Sequence, residues 1–112
     1  MVSVNGPVVG KTGNLELSPA PIQPNVSTAV WQADSIEVSG GFKSTFQFRI
    51  VRAPGDVNAA AGIAFVIQGL GSGAVGAPNS AIGYGGLRDS VAIEFDTHLD
   101  PVVGDKNDNH VG

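Results

Sequence analysis

Apolar and polar residues alternate along this chain in short stretches bounded by glycine and proline, the period of two expected of strands with one face turned to a core. NLELS at 14–18 sets Leu15 and Leu17 against Asn14, Glu16 and Ser18, and predicts a half-buried strand. The three prolines of PAPIQPN at 19–25 cannot donate to a ladder, so this stretch is a connection. STAVWQADSIEV at 27–38 is a strand candidate that breaks in its middle. After a turn at Gly40 and Gly41, KSTFQFRIV at 43–51 gives the cleanest alternation, with Phe46, Phe48 and Ile50 on one face and Thr45, Gln47 and Arg49 on the other. GIAFVIQ at 62–68 is apolar on both faces, which predicts a strand buried in the middle of a sandwich. A glycine-rich loop at 69–86 then leads to SVAIEFDTH at 90–98. No repeat and no helical period longer than a turn is present, so the pattern predicts an all-β, antiparallel sandwich or jelly roll.

Composition agrees with this and narrows the partners. At 112 residues the chain is one domain or part of one, and 16 glycines and 7 prolines with only 14% charged residues suit strands joined by turns. The absence of cysteine excludes disulfides and thiolate metal sites. No apolar run is long enough to span a bilayer, and the first residues do not read as a secretory signal. With a net charge of −4 and six scattered basic residues, the chain lacks the basic patch of a nucleic-acid binder. Cations and neutral ligands suit it better.

Charge is concentrated in one place: Asp89, Glu94, Asp96, Asp100, Asp105 and Asp108 are six of the ten acids. In the strand at 90–98, Val91, Ile93 and Phe95 share one face, leaving Glu94, Asp96 and His98 on the other. An isolated Glu-x-Asp on a strand is ordinarily a solvated outer face. Here Asp100, Asp105 and His110 follow in a loop whose Pro101, Gly104, Asn107 and Asn109 permit sharp turns. Carboxylate oxygens suit Ca²⁺, and an imidazole added to carboxylates suits Mn²⁺ or another transition ion.

The string VAIEFDTHLD, continued to Asp105 and to His110-Val111-Gly112, resembles the metal-binding segment of the legume-type (L-type) lectins. That segment has an apolar strand with E-x-D-x-aromatic-x-N, then Asp five residues on and His five further. GNLELS, GFKSTFQFRI, GIAFVIQ and the run IGYGGLRDSVAIEFDT are similar to other strands of the same family, and FVIQ with GYGG looks closer to its bacterial members than to plant seed lectins. The resemblance implies a concanavalin-A-like jelly-roll sandwich, incomplete in this chain, with 1–112 as a single partial L-type lectin-like domain. It implies that Glu94 and His110 bind the transition ion, that Asp96 and Asp105 bridge both ions, and that Asp100 and the His98 carbonyl bind calcium. It further implies a non-catalytic module, extracellular or at the cell surface, whose partner is a carbohydrate or glycoconjugate met through Ala61, Gly62, His98 and Asp100.

Three positions depart from the family pattern. Ala61 stands where sugar-binding members present an Asp on a cis Ala-Asp bond, and a methyl group cannot accept the two hydroxyl hydrogen bonds, each worth about 1–3 kcal/mol. Without that carboxylate, the Ala60–Ala61 bond is expected to be trans. Asp100 replaces an Asn that also donates to sugar, and His98 replaces the aromatic floor of the sugar site. Three readings follow: a metal-ordered lectin module; a cation-stabilised structural or adhesion domain that has lost simple-sugar binding; and a jelly-roll glycosidase. The last needs a second carboxylate where this chain has Leu99. GLGSGAVG at 69–76 is a poor phosphate loop, since no helix follows. Trp31 and Tyr84 read as core aromatics before sugar platforms. The Asn25-Val26-Ser27 sequon matters only on a eukaryotic secretory route.

Overall fold

The computed structural model describes residues 2–6, 9–11, 13–17, 25–51, 62–78, 81–102 and 104–112. They form seven strands: β1 (Val2–Asn5), β2 (Val9–Lys11), β3 (Asn14–Glu16), β4 (Ala29–Gln32), β5 (Gly62–Gln68), β6 (Ser90–Asp96) and β7 (His110–Val111). All pairings are antiparallel, in sheets ordered β1-β4, β2-β3 and β5-β6-β7. The chain is an all-β protein of antiparallel sheets. Among the described residues no helix is long and apolar enough to cross a membrane.

The sheet that positions the acidic residues is β5-β6-β7. Directly opposed residues of an antiparallel pair share a face, so the register Ile63↔Phe95, Phe65↔Ile93, Ile67↔Val91 and Phe95↔Val111 collects large apolar side chains on one side. Gly62↔Asp96↔His110 and Ala64↔Glu94 put small and acidic residues on the other. The acidic side is the more enclosed: Asp96 is 8% exposed, while Val91 and Ile93 are 68% and 45% exposed. A solvated outer face for these acids is therefore not what the fold builds.

One predicted strand is absent and two are shorter than predicted. Residues 43–51 form no strand, although their alternation is expressed in packing. The Phe46 ring stacks on Phe65 at 5.4 Å and meets Phe95 edge-on at 6.1 Å, and Phe48 lies 4.8 Å from Phe95. A period of two selects which side chains face the sheet; a ladder also needs a neighbouring strand's N–H and C=O groups in register. GIAFVIQ forms β5 as predicted, with all seven residues half-buried; among the described residues it pairs with β6, which also pairs with β7. The candidate at 27–38 contracts to Ala29–Gln32, and that at 14–18 to Asn14–Glu16, with Ser18 outside the described residues.

The first sheet is anchored by polar contacts. In β1 the valines face outward, while Ser3 Oγ and Asn5 Nδ2 both donate to the Ser72 carbonyl at 3.1 and 2.7 Å. From β4, Trp31 Nε1 donates to the Ala74 carbonyl at 2.8 Å. These bonds fix the start of the glycine-rich loop, whose later part is laced by Gly76 N–H to Gly83 O, Ala77 N–H to Gly85 O and Gly83 N–H to Ala77 O at 2.8–2.9 Å. A Cβ on Gly76 would lie 2.4 Å from the Tyr84 carbonyl carbon, so only glycine lets the two sides of the loop close. Of the glycines in GLGSGAVG, Gly76 alone serves this close backbone approach, since a Cβ on Gly69, Gly71 or Gly73 would meet nothing within 4 Å.

Candidate metal centre

The site lies at one end of the β5-β6-β7 sheet, where β5 begins, β6 ends and β7 begins. The cross-strand row Gly62↔Asp96↔His110 sets its floor. Gly62 has φ of +139°, and a Cβ there would stand 2.3 Å from the Phe95 carbonyl oxygen, so the backbone of β5 presses against β6 beside Asp96.

Asp96, Asp105 and His110 each bring a ligand atom within 4.8 Å of the others. Asp96 Oδ1 accepts the His98 N–H at 2.7 Å, closing a short turn after β6. Asp105 Oδ2 accepts the Asp100 N–H at 2.8 Å, and the Asp105 N–H donates to the Asp100 carbonyl at 3.3 Å. Asp100 Oδ1 accepts the Val102 N–H at 3.0 Å. These carboxylates are the local turn acceptors that shape the loop at 97–105, which is the physical reason aspartate rather than glutamate suits the positions. An open hollow of about 300 Å³ adjoins them, lined by Gly104, Asp105, Lys106, Asn107, His110 and Val111.

His110 carries the informative geometry. Its Nδ1 lies 3.0 Å from the Asn107 carbonyl, which can only accept, so Nδ1 bears the hydrogen. In the neutral ring Nε2 then presents a lone pair, and it faces Asp105 Oδ1 at 3.3 Å. A lone pair facing a carboxylate is repulsive unless a proton or a cation lies between. Asp105 is 8% and His110 24% exposed at the side chain, so water screens this contact poorly. An imidazole oriented through its other nitrogen by a backbone carbonyl is the usual outer arrangement of a metal-ligating histidine. Two enclosed carboxylates with one such imidazole fit a divalent cation.

The remaining sequence candidates are placed as follows. Glu94 lies two residues before Asp96 on the same face, outside that three-residue cluster. Its Oε1 accepts the Tyr84 hydroxyl, and its backbone exchanges two hydrogen bonds with Gly112 at 3.0 and 3.2 Å. The bond to the Glu94 carboxylate, with partial burial and the carboxylate's charge behind it, pushes the Tyr84 phenol up to about 12. Asp100 borders the cluster through Asp105, the side chain of His98 is exposed, and Gly62 lies opposite Asp96. Ala61 and the Ala60–Ala61 bond lie outside the described residues. Sequence reasoning missed two partners: Tyr84, whose reach to Glu94 depends on the path of the glycine-rich loop, and the Asn107 carbonyl, a backbone atom without a side-chain signature.

The legume lectin domain model matches residues 25–112, most of the chain. The chain belongs to the legume lectin domain family. It is 36% identical over 88 residues to the L-type lectin-domain containing receptor kinase S.6 of Arabidopsis thaliana, an alignment covering 70% of this chain and 11% of that protein. The chain thus spans about a tenth of that relative's length. No solved structure matches the chain. Membership assigns the antiparallel architecture to the legume lectin β-sandwich, and the family as a whole is one of carbohydrate-binding, generally non-catalytic, Ca²⁺- and Mn²⁺-binding domains.

Proposed function

We propose that this chain acts as a non-catalytic, carbohydrate-binding lectin module, within a single lectin-like domain, whose cation site orders the loop that meets sugar. The observation that carries the metal half of this reading is the convergence of Asp96, Asp105 and His110 with His110 Nε2 turned toward Asp105. Glu94, Asp96, Asp105 and His110 would hold a transition ion such as Mn²⁺, and Asp96, Asp105, Asp100 and the His98 carbonyl would hold Ca²⁺. Bound cations would supply positive charge that neutralises the carboxylates and ties β6, the loop at 97–105 and β7 together. The chain's own residues do the rest: Asp96 and Asp105 fold the loop through backbone N–H groups, and Gly62 lets the backbone of β5 approach β6 beside Asp96. An extracellular or cell-surface setting is supported by the name of the relative, a lectin-domain receptor kinase.

A second reading, a cation-stabilised structural or adhesion domain without simple-sugar binding, is favoured by Ala61 and Asp100. Together they remove an acceptor and a donor at about 1–3 kcal/mol apiece, against about 4 kcal/mol for a millimolar monosaccharide. A glycosidase is disfavoured because Leu99 occupies the place of its second carboxylate. A glycan array probed with the intact protein in Ca²⁺ and Mn²⁺, with and without chelator, separates these readings. The lectin reading expects chelator-sensitive binding to some glycan, with mannose and galactose themselves silent, and Ala61→Asp with Asp100→Asn should add simple-sugar binding. A blank array for both proteins, beside a melting temperature that responds to the ions, would select the structural domain.

A further inference from the structure

We infer that Tyr84 is the positioning residue of Glu94: its hydroxyl takes one carboxylate oxygen and leaves the other directed across to β7, where it joins Asp96, Asp105 and His110 as a fourth donor. This inference rests on the metal-binding reading above. Glu94 is the one acid of this strand face that the three-residue cluster does not include, so something must decide where its carboxylate points. A glutamate has three rotatable bonds, and fixing them on binding an ion costs side-chain entropy unless a partner holds the side chain beforehand.

Both sides of that carboxylate are specified. Tyr84 donates to Oε1. Toward β7, Oε2 lies over Gly112, where a Cβ would stand 3.0 Å from it, so glycine at this position leaves room for the oxygen. Gly112 is aligned with Glu94 by the paired backbone bonds that continue the β6-β7 ladder, and His110 stands on the same face two residues earlier. The direction of Oε2 is therefore toward the strand that carries the imidazole ligand. Tyr84 in turn is immobilised by its loop: its N–H donates to the Ala81 carbonyl at 2.9 Å, its carbonyl accepts the Leu87 N–H at 3.0 Å, and Gly76 packs against its backbone. A phenol that donates to one oxygen of a ligating carboxylate leaves the second oxygen's lone pairs for the ion, the outer partnership that commonly tunes metal affinity.

The test is Mn²⁺ titration of the intact protein, read by the electron paramagnetic resonance signal of free Mn²⁺, for the wild type, Tyr84→Phe, Glu94→Gln and the double variant. Tyr84→Phe keeps the ring and removes only the hydroxyl. It should weaken Mn²⁺ binding about 10–100-fold, whereas in the Glu94→Gln background the same change should alter it less than about twofold, within the usual additivity error. Gly112→Ala, which crowds Oε2 without touching Tyr84, should also weaken Mn²⁺ binding. Equal affinity of wild type and Tyr84→Phe overturns the inference, and so does an equal loss in both backgrounds, since Tyr84 would then act through the loop and not through Glu94. A wild type that takes up no Mn²⁺ would instead remove the metal reading itself, and this inference with it.

Discussion

Replacing Asp96 with asparagine should change the protein in opposite directions with and without divalent ions. Asp96 and Asp105 bring carboxylate oxygens within 4.8 Å of each other, and two unit charges at that separation repel by about 1–3 kcal/mol between the effective dielectrics of water and of a partly buried site. Asparagine removes this repulsion and keeps an oxygen for the His98 N–H, although the bond loses the charge assistance worth about 1 kcal/mol. In chelator, Asp96→Asn should therefore be about 0–2 kcal/mol more stable than wild type. With Ca²⁺ and Mn²⁺ each at about a hundred times its dissociation constant, the wild type should gain about 2.7 kcal/mol per ion, or about 5.4 kcal/mol for the pair, by mass action. If Asp96 serves both ions, as proposed above, the variant gains little. At about 4 °C per kcal/mol for a domain of this size, the variant should melt between level with wild type and about 8 °C above it in chelator, and roughly 15–20 °C below it in the ions. Thermal unfolding in the two conditions reads this directly. Equal destabilisation in both would show that Asp96 is only the acceptor of a turn, and the cation-site argument would fail.

Two further outcomes follow from the geometry. Tyr84 is the only tyrosine, so its ionisation can be read from tyrosinate absorbance in metal-free protein, and its midpoint should lie near 12 instead of the ordinary 10.0. Because the folded value is the higher one, the stability that this contact contributes is complete below pH 10 and is lost as the pH rises through about 12; a midpoint at the ordinary value would contradict the Glu94 contact. Phe46→Ala should cost about 1–3 kcal/mol by urea unfolding, since the ring is 45% exposed yet meets Phe48, Phe65 and Phe95; a neutral effect would mean that residues 43–51 do not pack on the sheet.

Much of this protein was legible before any coordinates. Period-two alternation and glycine-proline punctuation determine an all-β chain, because side-chain direction in a strand is a local property of the backbone. The spacing from Glu94 to His110 determines a candidate cation site, because a strand followed by turn-forming residues returns its acids to one neighbourhood. Tertiary structure decided what local periodicity does not encode. Whether 43–51 joins a ladder depends on a neighbour's backbone, not on its own alternation. That the acidic face of β6 is the sheltered one follows from which elements dock where. The reach of Tyr84 to Glu94 and the carbonyl of Asn107 behind His110 depend on the paths of two loops, set by glycine contacts and backbone hydrogen bonds that leave no side-chain pattern to read.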